Sequence, residues 1–286
     1  MKKDKLHIHW YPGHIAKAER QLKEKLSLVD AVIEVRDARL PMSSSYGNLK
    51  KLLGDKPRLL LLNKTDLVNS KDLDIWKKYL IEKESCKIFC FNTKNNIDIS
   101  GIIKEVLRLS EPKIQALMQK GLLRRPARTV VIGMPNVGKS SVINALTKTS
   151  KTKVGAKAGV TRQQQWVRIN PQLDLLDTPG IIPTRQDNQE QAVKLAFVNS
   201  VSENAYSPEL VATELLNLLK EDKFFKSVGE YYKIDNPEQL TIDDIALNRN
   251  WLIKSSQPDT QRTAAYILKD FREGRLGKFI LDELPE

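Results

Sequence analysis

Residues 129–140 read Thr129-Val130-Val131-Ile132-Gly133-Met134-Pro135-Asn136-Val137-Gly138-Lys139-Ser140. An apolar run ends in a complete G-x-x-x-x-G-K-[ST] loop, and residues 139–147 continue with helical spacing. Strand, glycine-rich loop and helix in that order make this pattern a phosphate cradle. Gly133 and Gly138 let backbone N–H groups turn toward phosphate oxygens, and the following helix adds its positive end. Lys139 is placed to reach the β- and γ-oxygens, and Ser140 to ligate Mg²⁺. Asn136, Val137, Gly138, Lys139, Ser140 and Ser141 are therefore the candidate phosphate-binding residues.

Upstream lies a second box. The run Arg58-Leu59-Leu60-Leu61-Leu62 suits a buried parallel strand and delivers Asn63-Lys64-Thr65-Asp66, an N-K-x-D sequence, at its C-terminal end. Asp66 can accept from the guanine N1–H and 2-amino group, which adenine does not offer. Asn63 and Lys64 brace that loop. Asn92-Thr93-Lys94, after the next predicted strand, takes the place of the segment that supports the base. Downstream comes Asp177-Thr178-Pro179-Gly180. Asp177 is expected to hold Mg²⁺ through water, and the Gly180 N–H to meet the γ-phosphate. In ordinary guanine-nucleotide domains the phosphate loop comes first and N-K-x-D near the end. The rotated order reads as a circular permutation.

The same boxes point to a hydrolytic mechanism with a gap in it. Thr161 is the candidate switch threonine completing the Mg²⁺ shell, at the end of a Lys-, Gly- and Ala-rich segment that a triphosphate would order. Many GTPases place Gln after D-x-x-G to orient water. Here that residue is Ile181, so the group must come from elsewhere. All three histidines lie in His7-Ile8-His9-Trp10-Tyr11-Pro12-Gly13-His14. His14, fixed after Pro12-Gly13 at a predicted helix start, is the candidate to orient water, while His7 and His9 read as structural or tail residues. Asn136 offers an amide oxygen that can help ligate a monovalent cation, K⁺, against the phosphates.

Strand–helix alternation predicts about six strands in a doubly wound, mostly parallel sheet. They are read at 28–35, 58–62, 87–91, 129–132, 166–169 and 173–176, with helices near 15–26, 71–83, 99–109 and 139–147. Beyond about residue 190 the pattern is helical. Ser207-Pro208-Glu209 is a helix start, Thr241 with Asp244 resembles a capping box, and a third helix over 259–273 ends at Gly274. The expected division is a permuted nucleotide domain at 1–190 and a small helical domain at 191–286.

The 286 residues are 41% hydrophobic, enough for a sizeable core, with no apolar run fit to span a bilayer. Cys86 and Cys90 fall in one predicted strand and read as buried thiols of a reducing compartment. The net charge of +12 is uneven. Residues 108–168 carry 13 Lys/Arg against one acid, whereas 186–286 carry 12 against 18. One nucleotide offsets about four charges, so a polyanion is the expected partner of the basic segment. Arg124, Arg125 and Arg128 are its RNA-binding candidates.

Together these residues resemble the YlqF/RbgA family of circularly permuted GTPases. The likeness covers Trp10-Tyr11-Pro12-Gly13-His14-Ile15-Ala16-Lys17, Asp37-Ala38-Arg39-Leu40-Pro41, the three nucleotide boxes and Arg272-Glu273-Gly274-Arg275-Leu276-Gly277. The resemblance implies GTP hydrolysis to GDP, coupled to late assembly of the large ribosomal subunit and stimulated by it. It implies binding to ribosomal RNA and ribosomal proteins, a catalytic histidine at His14, K⁺-stimulated turnover, and an RNA-contacting helical domain. In this acidic domain that contact must rest on Arg262, Lys269, Arg272, Arg275 and Lys278. A monomer in the bacterial cytoplasm is expected, with an organellar matrix or stroma as the alternative. The competing reading is a non-catalytic, GTP-dependent RNA-binding scaffold. A small-subunit factor is disfavoured because a zinc module or N-terminal OB-fold has no place here. The guanine box disfavours a metabolic P-loop kinase.

Overall fold

The computed structural model describes residue 8 and residues 12–92, 98–148, 165–177, 180–181, 188–254 and 256–285. The described chain runs α1 (Pro12–Leu28), β1 (Ala31–Asp37), α2 (Leu49–Leu53), β2 (Arg58–Asn63), α3 (Ser70–Glu84), β3 (Ile88–Cys90), α4 (Ile99–Gln119), β4 (Ala127–Gly133), α5 (Lys139–Lys148), β5 (Gln165–Asn170), β6 (Leu173–Asp177) and β7 (Gly180–Ile181). Five helices follow: α6 (Gln189–Phe197), α7 (Pro208–Leu219), α8 (Asp222–Tyr232), α9 (Ile242–Asn248) and α10 (Thr260–Arg272).

The strands form one sheet in the order β3-β2-β1-β4-β6-β5, parallel except for the antiparallel β5–β6 pair. β1 and β2 are buried on both faces. Such burial demands the continuous apolar runs Ala31–Ile33 and Leu59–Leu62. β4 enters the sheet beside β1, so the strand leading to the phosphate loop and the strand leading to the guanine box flank the same neighbour. Their carboxyl ends open on one edge, where ligands of doubly wound sheets bind. β7 is a two-residue addition to β4: Gly180 pairs with Ile132 and Ile181 with Gly133.

Two boundaries differ from the sequence reading. Leu28 closes α1 and the first strand starts at Ala31. Leu22 and Leu26 bury one face of that helix, and Asp30, with no exposed side-chain surface, receives Arg125, Lys113 and the Arg128 N–H at the turn. α4 runs ten residues beyond position 109, to Gln119, straight through Pro112. The burial of Ile114 beyond the proline outweighs the helix-breaking tendency of that residue. Cys90 lies in β3, and Cys86 precedes it; both are free thiols, half-buried rather than buried.

The helical region caps its ends as the sequence suggests. The Ser207 hydroxyl accepts from the Leu210 N–H, with Pro208 in the first turn of α7. The Thr241 hydroxyl accepts from the Asp244 N–H and donates to the Asp244 carboxylate. Gly274, at φ +76°, ends α10 where the Arg275 N–H reaches back to the Asp270 carbonyl. α7 and α10 pack against each other, and Val211, Leu215, Ile267 and Phe271 are buried on them.

Candidate functional site

The phosphate loop begins where β4 ends. Gly133 passes so close to β1 that a Cβ there would lie 2.4 Å from the Val35 carbonyl oxygen. Gly138 takes φ +107°, and a Cβ on it would lie 1.8 Å from Asn63 Nδ2. The crowding has a structural cause: Asn63 Nδ2 donates to the Val137 carbonyl at 2.7 Å, joining the N-K-x-D segment to the G-x-x-x-x-G-K-S loop. Asn63 Oδ1 accepts from the Lys64 N–H, and Lys64 adopts a left-handed φ of +63°. Asp66 sits in the single turn Thr65–Leu67, and the Thr65 N–H reaches the Phe91 carbonyl beside Asn92. Thr93 and Lys94 lie outside the described residues.

Lys139 opens α5, with its Nζ donating to the Met134 carbonyl at 2.7 Å across the loop. Burial pushes its ammonium down to about 8. A desolvated cation of this kind is stabilised by any anion brought against it. The Ser140 side chain is exposed, and Ser141 follows it in the first turn of α5. Asp177 is the last residue of β6, the strand paired with β4. A hydroxyl at the start of α5 and a carboxylate at a neighbouring strand end suit Mg²⁺, which takes oxygen ligands. Thr161 lies outside the described residues, as do His7, His9, Thr178 and Pro179. The Gly180 backbone is brought back to Ile132. His14 stands in the first turn of α1, a helix that packs beside β4 and β7.

The helical region touches this site directly. Asn136, at φ +58°, donates its Nδ2 to the Asn199 carbonyl at 2.6 Å, and Ser200 Oγ donates to the Pro135 carbonyl at 2.7 Å. Arg272 braces that segment by donating to the Ala196 and Phe197 carbonyls. On the guanine side, Asp37 accepts from Lys64 Nζ at 2.8 Å and from Arg39 at 2.9 and 3.0 Å. The sequence offered no signal for Asn199 and Ser200. Asp37 and Arg39 were visible as D-A-R after an apolar strand, without an assignable role.

The basic candidates divide by their partners. Arg124 faces Glu111 on the surface, and Arg128 lies 4.9 Å from the Trp166 ring. Arg125 is committed to the buried carboxylate of Asp30, at 2.7 and 2.8 Å. In the helical region Arg262 and Lys269 are exposed on α10 around an aromatic pair, Trp251 and Tyr266, whose rings are 4.7 Å apart. Lys278 is exposed, whereas Arg275 pairs with Asp270 and Arg272 serves the internal brace. The aromatic pair was missed in the sequence because its members are 15 positions apart.

The pattern of the 50S ribosome-binding GTPase family matches residues 128–237. Over 281 residues the chain is 34% identical to ribosome biogenesis GTPase A of Bacillus licheniformis, spanning 98% of this chain and 99% of that one. The protein of the same name from Thermotoga maritima is 30% identical over 279 residues, spanning 98% and 95%. The GNP-bound crystal structure of YlqF from T. maritima matches with a TM-score of 0.63 at 26% identity, over 93% of this chain and 98% of that one.

Proposed function

The chain belongs to the ribosome biogenesis GTPase A family, and from that footing we propose that it couples GTP hydrolysis to late assembly of the large ribosomal subunit, which stimulates the reaction. It is a GTP hydrolase of ribosome biogenesis. The observation that carries the site assignment is the Asn63–Val137 hydrogen bond. It ties together two boxes that lie 70 residues apart in rotated order. In this reading Asp66 selects guanine, with Asn92, Thr93 and Lys94 supporting the base, and Val137 to Ser141 and Gly180 hold the phosphates.

Ser140, Asp177 and Thr161 would hold Mg²⁺, which neutralises charge developing between the β- and γ-phosphates. K⁺ would bind beside Asn136. The Asn199 carbonyl can only accept, so the Asn136 amide nitrogen must face it, and the amide oxygen is left pointing away for a cation. His14 orients the attacking water, supported by the packing of α1 beside β7. The division near residue 190 separates the nucleotide domain from a helical domain that docks on ribosomal RNA. Two surfaces fit that partner. Arg124 and Arg128 supply phosphate contacts. Arg262 and Lys269 flank an aromatic pair of the kind on which unpaired bases stack, and Lys278 is a further exposed cation of the same region. Arg272 and Arg275 are drawn away from that surface, the first by the Ala196 and Phe197 carbonyls and the second by Asp270. The acting form is a monomer in the cytoplasm, the mitochondrial relatives marking an organellar counterpart. No helix among the described residues is long and apolar enough to cross a membrane.

The test is GTP turnover in K⁺ and in Na⁺ buffers, with and without purified large subunits, for wild type and His14→Ala. Stimulation by subunits and K⁺ that disappears in His14→Ala, with GTP binding retained, is the expected result. Turnover indifferent to subunits in every buffer would refute the reading.

A further inference from the structure

Asp37 is fully buried and carries a charge. Burial opposes that charge, but Arg39 and Lys64 outweigh it and hold the carboxyl far below the ordinary range. One oxygen faces Lys64 of the guanine box; both face Arg39. Arg39 is not finished there. Its Nη1 donates to the carbonyls of Phe271 and Arg272, each at 3.4 Å, and its guanidinium lies 5.3 Å from the Phe271 ring. These carbonyls belong to the last turn of α10, where a helix leaves acceptors unsatisfied and favours a cation.

The chain after α10 fastens to the same two places. The Leu281 N–H donates to the Arg39 carbonyl, and the Phe279 N–H to the carbonyl of Leu67, which closes the guanine turn. A Cβ on Gly274 would lie 2.6 Å from the Leu67 side chain. α10 is thus seated directly on the loop that reads the base, and the seat is a chain of charges: Lys64, Asp37, Arg39, helix end.

We propose that Asp37 and Arg39 are positioning residues for guanine recognition: Asp37 holds Lys64, Arg39 ties Asp37 to the end of α10, and the seating of the helical region thereby sets affinity for the base. The inference rests on the reading of Asn63 to Asp66 as the guanine box. Because the tie is on the base side and not on the γ-phosphate side, GDP and GTP respond alike. A partner that lifts α10 would loosen either nucleotide, which is the behaviour of an exchange trigger.

The experiment measures GDP and non-hydrolysable GTP affinity by fluorescence titration, alongside thermal unfolding without nucleotide. The variants are Arg39→Ala, Arg39→Lys, Lys64→Ala, the double variant Arg39→Ala/Lys64→Ala, and Asp66→Asn. A lysine at position 39 can face Asp37 but cannot also span two α10 carbonyls, so it decides the matter if Arg39→Ala fails to fold. Loss of Arg39 should weaken both nucleotides by the same factor, roughly tenfold, typical of coupling between sites. The loss should fall on KM rather than kcat. The double variant should bind little worse than Lys64→Ala alone. Unchanged affinity with a lowered melting temperature, or fully additive losses, would overturn the proposal and leave Arg39 a fastener of α10. Asp66→Asn separates the two ideas. If it leaves guanine preference intact, the guanine-box reading falls and this inference with it. If Asp66→Asn loses that preference while the Arg39 variants bind normally, the inference alone falls.

Discussion

Lys139 is the residue at which the proposed nucleotide site makes its most direct prediction. Its ammonium is desolvated and pushed down to about 8, so near that pH a fraction of the molecules carry it neutral. Phosphates bound against it must restore the charge. Nucleotide binding at about pH 8 should therefore take up roughly half a proton, and the uptake should fade toward pH 6, where the group is already charged. Calorimetry in two buffers of different ionisation enthalpy measures it, and zero uptake near pH 8 would mean either that the free ammonium is already charged or that no phosphate faces it. At this scale the sequence was legible where chemistry fixes residue type and spacing together: Gly133, Gly138 and Lys139 stand in the strand–loop–helix context that their spacing implied. It was illegible where a backbone atom does the work. The Asn199 carbonyl and the last carbonyls of α10 have no side-chain signature, so the residues that brace the site from the helical region could not be read.

Among the elements, β1, β2 and α3 enclose a buried charge network. Glu34 and Arg36 are each 1% exposed, and Arg36 and Arg58 both bridge Glu34 and Glu84 at 2.6–3.1 Å. Burial alone would raise the Glu34 pKa, but Arg36 and Arg58 outweigh it and lower it. A depressed carboxyl stabilises the fold above the ordinary glutamate range and loses that contribution as pH falls through and below it. Arg36→Met should cost on the order of 3–5 kcal/mol at neutral pH by stranding buried carboxylate charge. The deficit should narrow in acid, where Glu34 becomes neutral; chemical denaturation at two pH values checks this. A deficit independent of pH would mean that lost packing, not charge, is responsible. A smaller effect belongs to α7: Ser207→Ala removes the hydroxyl that caps the Leu210 N–H and should cost about 1 kcal/mol. The elements themselves were legible because buried parallel strands need unbroken apolar runs. Their ends were not: the extra turns of α4 depend on Ile114 meeting the core, a tertiary fact that overrides Pro112.

At the scale of the molecule, charge and connectivity work together. The basic segment 108–168 and the acidic region 186–286 belong to one chain whose helical end rests on both nucleotide loops. Arg124→Glu with Arg128→Glu should weaken binding to large subunits and reduce the slope of log affinity against log salt by about 1 per lost phosphate contact. Arg125 is left intact in that design, since its reversal would strand Asp30 and confuse folding with binding. Binding and slope both unchanged in filter assays over a salt series would remove this face from the RNA interface. The sheet order has a further consequence for the chain while it is being made. The ribosome releases β1, β2 and β3 first, so half of a parallel sheet and the complete base-reading turn exist before the phosphate loop has been translated. β4, the neighbour of β1 on its other side, is made only afterwards, and Arg39 lacks its helix-end acceptors until residues 271–272 emerge. With the helical region setting guanine affinity as proposed, tight capture of nucleotide during synthesis waits until residues 271–272 have been born.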